Sequence, residues 1–312
     1  MNIIFMGTPE FAVPILDMLH LNHHVLMVVT QPDKPVGRKK VMTPSPVKVK
    51  ASLLGIPVFQ PDKLKEDYQS LIQMKPDLLV TAAYGQMLPK ALLDAVTCLN
   101  VHGSLLPKYR GGAPIQYALF DGLNETGVTI MYMAYQMDSG DIIKQASLPI
   151  LPEDDYQSLS KRLSHLGAVL LEDVLKDIEK GMINRTPQNP NDVTFAYTLK
   201  PKDEYLDFHQ TTDQIIHRIR GLSPEPGATA WLKNVPIKFY KAQRSDIIDI
   251  KAYPGTILVS KKRLIIKTGD GTIEVLEIQA PGKKQMAVKD FLNGQTLFVE
   301  GDRFDERSHE NG

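Results

Sequence analysis

Leu99-Asn100-Val101-His102-Gly103-Ser104-Leu105-Leu106-Pro107-Lys108-Tyr109-Arg110-Gly111-Gly112-Ala113-Pro114 is the stretch from which this chain is read. Its first part, with Thr97 and Cys98 before it, is expected to be a buried strand over 97–101. In strand spacing, Asn100 and His102 are two apart and point the same way. Gly103 breaks the strand, and a loop rich in Gly and Pro follows. A polar pair at the end of an apolar strand sits at the mouth of a parallel sheet, where open α/β sheets place their ligands. Taken alone, the pair also reads as a satisfied structural histidine and an asparagine engaged in turn chemistry. Two neighbouring features favour a site. Leu105 and Leu106 lie beside a Gly-rich turn, as in a small-molecule cleft. Downstream, Met137-Asp138-Ser139-Gly140-Asp141 places acids in a second turn after an apolar strand.

Working outward, Asn2 to Met6 is an apolar run ending at Gly7. Thr8-Pro9 then has the form of a helix start, with a helix expected to about Leu19 and a strand over Val25 to Thr30. This opening is Rossmann-like. The turn reads Gly7-Thr8-Pro9-Glu10-Phe11-Ala12 rather than G-x-G-x-x-G. The glycines that let a pyrophosphate approach the backbone are missing, so no dinucleotide cofactor is expected. Lys63 to Met74 has helical spacing. Asp77 to Ala83 is a continuous apolar strand of the buried parallel kind. Gly127 to Ala134 and Lys144 to Ile150 are expected to pair as a hairpin. Tyr156 to Lys180 is a long amphipathic helix closed by Gly181.

Gly181 to Asp203, with three prolines and several Asn and Gln, reads as a linker. From Glu204 a second unit begins. It holds a helix over Thr211 to Leu222 and short strands from Ala228 onward, including one at Thr296 to Val299. Gly269-Asp270-Gly271 is a hairpin turn. Five or six short strands with one inserted helix suggest a small barrel. The tail from Glu300 is read as frayed. The fold class expected is α/β: a Rossmann-like, mostly parallel sheet with helices on both faces, plus a smaller C-terminal OB-like β-barrel. The domains are placed at 1–186, a linker at 187–203, and 204–312.

At 312 residues there is enough chain for two domains and a sizeable core. Lys plus Arg and Asp plus Glu are 36 each, so the net charge asks for no polyanionic partner. A neutral total can still hide local patches. From Lys34 to Lys50 the chain carries Lys34, Arg38, Lys39, Lys40, Lys48 and Lys50 and no acid. Pro32, Pro35, Pro44 and Pro46 argue against regular structure there. An exposed loop of this kind suits phosphate contact. The single cysteine, Cys98, can form no internal disulfide and reads as a buried structural thiol. No apolar run approaches the roughly 20 residues of a membrane span, and no basic presequence opens the chain. A monomeric cytoplasmic protein without a membrane partner is expected. No His or Cys spacing indicates a metal.

Asn100-x-His102-Gly-Ser-Leu-Leu-Pro, followed by Tyr109-Arg110-Gly111 and by Asp138-x-Gly140, resembles the signature of the folate-dependent formyltransferases. The resemblance implies transfer of a formyl group from 10-formyltetrahydrofolate to an amine. It assigns catalysis to Asn100, His102 and Asp138, and folate contact to Ser104, Leu105, Leu106 and Pro107. Thr30-Gln31-Pro32-Asp33-Lys34-Pro35-x-Gly37-Arg38, then Met42-x-Pro44-Ser45-Pro46-Val47-Lys48, is similar to the branch whose acceptor is methionyl initiator tRNA. So is Ile216 to Gly227. That branch implies tRNA contact by Arg38, Lys39 and Lys40 and by the C-terminal unit. A small-molecule amine as acceptor, or hydrolysis of 10-formyltetrahydrofolate, is the alternative.

The chemistry implied is acyl transfer without a covalent enzyme intermediate. An α-amino group titrates near about 7.7–8.0, so part of it is already neutral near neutral pH. Asn100 can donate to the oxyanion through its amide. His102 can donate when protonated or in the right tautomer. Asp138 can hold a His102 cation or accept a proton from the amine.

Overall fold

The computed structural model describes residues 1–37, 40–182, 184–249, 251–294 and 296–305. Arg38 and Lys39, two of the three residues expected at tRNA, lie outside the described residues. The chain forms two compact units. One comprises Met1–Pro114, Glu125–Pro149 and Leu159–Tyr197; the other comprises Ile115–Asn124, Ile150–Ser158 and Thr198–Gly312.

The first unit is built from β1 (Asn2–Gly7), β2 (His24–Val29), β3 (Lys34–Val36), β4 (Val41–Thr43), β5 (Val58–Phe59), β6 (Leu78–Ala82), β7 (Cys98–His102), β8 (Glu125–Tyr132) and β9 (Ile142–Pro149). Seven of these form one sheet in the order β5-β2-β1-β6-β7-β8-β9. The first five in that order pair in parallel, and β8 and β9 are antiparallel. The parallel strands are apolar along their length because both faces are covered; every residue of β6 is buried. The order runs outward from β1 in both directions. Gly7, Ala82 and His102 therefore end neighbouring strands along one sheet edge, at the switch point where α/β sheets bind ligands.

The helix Tyr156–Glu179 turns Leu159, Leu163, Leu170, Leu171 and Val174 inward. Gly167 packs closely on β7. A Cβ there would lie 2.9 Å from Val101 Cγ1, so a glycine lets the helix lie directly on the strand that carries Asn100 and His102.

Several local expectations change. Thr8 does not cap a helix. Its hydroxyl donates to the Tyr84 carbonyl at 3.0 Å, and a 3-10 turn, Glu10–Ala12, precedes the helix Val13–Asn22. The segment expected as one helix over 63–74 is two short ones, Leu64–Asp67 and Gln69–Gln73. The proline-rich basic loop is partly regular: β3 and β4 pair as a hairpin with Pro35 opposite Met42. A two-stranded ribbon leaves alternate amides unpaired, so a residue without N–H is accommodated. The loop is also less basic in space than in sequence. Lys48 binds Asp33 at 2.8 Å and Lys50 binds Asp17 at 2.7 Å.

The second unit carries β10 (Ala228–Leu232), β11 (Val235–Arg244), β12 (Ile257–Val259), β13 (Leu264–Lys267), β14 (Thr272–Gln279) and β15 (Met286–Ala287). They form an antiparallel sheet in the order β10-β11-β14-β13-β12, with β15 on β14. The sheet curls around Phe208, Phe239, Phe291, Phe298 and Phe304. Its open side is bridged by the tail. Ile257 N–H donates to the Asp302 carbonyl at 2.8 Å, and Asp305 N–H donates to the Trp231 carbonyl at 2.7 Å. Residues 300–305 thus belong to the barrel and do not fray. No strand forms at 296–299; Phe298 is instead a core residue in an irregular segment. The helix Thr212–Leu222 starts in a capping box of Thr211 and Gln214 and buries Ile215, Ile219 and Leu222.

Candidate active site

The carboxyl end of β7 presents Asn100 and His102 on one face, as the two-residue spacing requires. On the adjacent β6, the Thr81 hydroxyl has one proton to give. Its nearest acceptor is Asn100 Oδ1 at 2.7 Å, ahead of the Leu99 carbonyl at 3.2 Å. Asn100 is thereby oriented with its oxygen used and its Nδ2 donors available.

The His102 ring is buried, 5% exposed. Its Nε2 lies 2.9 Å from the Tyr109 carbonyl. A carbonyl only accepts, so Nε2 carries a hydrogen, and Nδ1 is the nitrogen left for chemistry. Nδ1 faces Asp138 Oδ2 across 3.7 Å. That distance is too long for a hydrogen bond and suits a bridging atom. The same carboxylate oxygen accepts the Gly111 N–H at 2.8 Å. The Asp-Ser-Gly turn and the Tyr-Arg-Gly loop are thus tied together at the charged group itself.

Backbone conformation around the pair is unusual. Tyr109 and Asp138 have φ of 60° and 47°, and neither is glycine. Such residues persist where surrounding bonds over-determine them. Gly111, at φ 124°, cannot be replaced in kind: a Cβ there would stand 2.4 Å from the Ala196 carbonyl oxygen.

Ser104 to Pro107 form a braced arch. The Ser104 hydroxyl donates to the Lys108 carbonyl at 2.7 Å, and its carbonyl accepts from the Thr129 hydroxyl at 2.7 Å. Leu106 N–H donates to Thr129 Oγ1, and Gln145 Nε2 donates to the Leu106 carbonyl. Ser104 and Leu106 are buried, while Leu105 and Pro107 keep part of their surface open. Lys40 lies on the exposed hairpin tip.

The residues missed by sequence reading come from the stretch taken as linker. Gln188 Oε1 accepts from Arg110 Nε at 3.0 Å and Nη2 at 2.7 Å, while its Nε2 donates to the carbonyls of Asp138 and Gly140, both at 2.8 Å. Thr194 and Ala196 then run beside the loop. Arg110 N–H donates to the Thr194 carbonyl at 2.9 Å, and Ala196 N–H donates back to the Arg110 carbonyl at 2.8 Å. Polar, proline-punctuated composition gave no sign of this, because the Gln188 bonds alone span 48 to 78 residues of sequence.

Among the described residues no helix is long and apolar enough to cross a membrane, and no group of three His, Cys, Asp or Glu side chains could hold a metal ion.

The formyl transferase family pattern matches residues 1–175, and the pattern of the formyl transferase C-terminal domain matches residues 198–296. A methionyl-tRNA formyltransferase of Listeria monocytogenes serovar 1/2a is 50% identical over 298 residues, covering 94% of this chain and 95% of its own. Two solved structures share the fold at lower identity. HypX from Aquifex aeolicus has a TM-score of 0.67 at 16% identity; it is matched over 98% of this chain, which spans 53% of that longer protein. An N-formyltransferase from Helicobacter canadensis, solved with folinic acid and dTDP-3-aminofucose, has a TM-score of 0.66 at 20% identity, covering 89% of this chain and 98% of its own. With half its residues shared along almost the whole length of a curated member, this chain belongs to the methionyl-tRNA formyltransferase family.

Proposed function

We propose that this chain transfers the formyl group of 10-formyltetrahydrofolate to the α-amino group of methionyl initiator tRNA, for translation initiation. The free amine attacks the formyl carbon, and the carbonyl oxygen becomes an oxyanion. Asn100 Nδ2, set free by the Thr81 hydroxyl on its oxygen, donates to that oxyanion. The attacking nitrogen gains a positive charge and must lose a proton. His102 Nδ1 and the Asp138 carboxylate stand on either side of a 3.7 Å gap and accept it. As the tetrahedral intermediate collapses, the bond between carbon and the folate N10 breaks and N10 takes up a proton. The products are formylmethionyl-tRNA and tetrahydrofolate.

The arch Ser104, Leu105, Leu106 and Pro107 is assigned to folate, through its backbone and the open surfaces of Leu105 and Pro107. Residues 1–186 form the catalytic part, 187–203 the connection and 204–312 the tRNA-binding part. Arg38, Lys39 and Lys40 are assigned to the acceptor end of the tRNA; of these only Lys40 is among the described residues. The protein works as a cytoplasmic monomer.

The observation that supports this reading most is the meeting of three polar side chains from β7 and a distant turn, with Nδ1 of a buried histidine as the only ring nitrogen left to react. The test is formyl transfer from 10-formyltetrahydrofolate to methionyl initiator tRNA, with free methionine and uncharged tRNA as controls. Transfer to the charged tRNA alone is expected. Formate release, or formylation of a small amine instead, would keep the acyl-transfer chemistry and overturn the acceptor.

A further inference from the structure

Phe195 and Tyr197 are exposed aromatic residues on the segment that runs beside the Tyr-Arg-Gly loop. Their ring centroids are 5.5 Å apart and their planes differ by 2°. They are 45% and 60% exposed, whereas Ala196 between them is fully buried. Strand-like alternation puts both rings on one side of the segment and the alanine on the other. The backbone beneath them is fastened to the catalytic loop. Ala196 N–H donates to the Arg110 carbonyl, and Ala113 N–H donates to the Ala196 carbonyl at 3.0 Å. Gly111, between those two partners, gives its N–H to Asp138.

Two parallel rings left in water are an uncommon use of aromatic surface, since such side chains gain most by burial. A centroid separation of 5.5 Å with parallel planes is an offset stack, which spreads the pair into a platform. Lys108, exposed on the same loop, adds a cation: Tyr109, next in sequence, gives its N–H to Thr194 Oγ1 at 2.9 Å. An open aromatic platform beside a lysine is the chemistry of unpaired nucleic acid, in which bases stack and the backbone is neutralised. An aliphatic thioether regains area only when enclosed, and an exposed shelf does not enclose it.

We propose that Phe195 and Tyr197 form a shelf on which the terminal adenine of the acceptor tRNA stacks while its aminoacyl group reaches Asn100, His102 and Asp138. The inference rests on the tRNA reading of the site. The shelf selects for a planar base attached to the amine substrate and leaves folate untouched.

The experiment uses the full-length protein and initiator tRNA carrying 2-aminopurine in place of the terminal adenine. Anisotropy of a label elsewhere on the tRNA reports binding, and 2-aminopurine emission reports stacking. Wild type should quench the emission on binding. The double variant Phe195→Leu/Tyr197→Leu should lose the quench and bind about tenfold more weakly, within the range for one stacked base. The double variant Phe195→Tyr/Tyr197→Phe, which keeps both rings, should behave as wild type. Removing the terminal nucleotide should weaken wild type about tenfold and leave the leucine variant unchanged. Quenching that persists in the leucine variant would overturn the shelf. So would equal weakening with and without the terminal nucleotide, or a loss confined to 10-formyltetrahydrofolate binding. If wild type binds no tRNA, the tRNA reading and the shelf fall together; normal binding without these signatures sinks the shelf alone.

Discussion

Gln188 is the residue whose removal most directly separates positioning from chemistry. It touches no reacting atom. Its amide joins Arg110, on the loop after β7, to the carbonyls of Asp138 and Gly140. Gln188→Ala removes two amide-to-carbonyl bonds, each worth about 1 kcal/mol net, and a guanidinium-to-carbonyl contact worth about 1.5–3 kcal/mol. The site is half-buried, so water replaces part of this, and a cost of about 2 kcal/mol remains. Spent on letting the Asp138 turn relax from its left-handed backbone, 2 kcal/mol corresponds to about a 30-fold fall in kcat. KM for the folate should stay within twofold. Gln188→Glu sharpens the test. It keeps an acceptor for Arg110 but turns a second oxygen toward two carbonyls, so it should lose activity although its partnership with arginine is stronger. The assay is single-turnover formyl transfer, with near-ultraviolet circular dichroism to confirm the fold. A folded Gln188→Ala protein with kcat within twofold of wild type would refute the reasoning, as would a fully active Gln188→Glu.

Other consequences are simpler to read. Asn100→Ala removes the proposed oxyanion donor and should lower kcat by about 10²–10³, the usual cost of one such donor; Thr81 retains the Leu99 carbonyl at 3.2 Å, so thermal stability should change little. Burial pushes the Cys98 thiol up to about 12, so at pH 8 almost none is thiolate. A disulfide reagent should react with it only in denaturant, and prompt labelling of the native protein would contradict that burial. Lys40→Ala should weaken charged-tRNA binding and reduce the slope of log K against log salt by about one, with folate binding unchanged; an unchanged slope would remove Lys40 from the phosphate contact.

The strand expected at 97–101 and found one residue later at 98–102, the shared face of Asn100 and His102, the long helix that stops just before Gly181 and the capped helix at Thr211 all follow from periods of two and 3.6 residues and from local turn chemistry. These are short-range properties, and sequence by itself determined them, together with the motif that brought Asp138 into the site. Tertiary structure alone decided the rest. It paired Lys48 with Asp33, closed the barrel with 300–305, and assigned the Nε2 hydrogen of His102 to the Tyr109 carbonyl. It also turned Gln188, Phe195 and Tyr197 from apparent linker residues into neighbours of the loop after β7. The physical reason is common to all of these. A polar side chain's partner, or an aromatic ring's exposure, depends on which distant backbone folds beside it, and nothing in the local residue pattern records that.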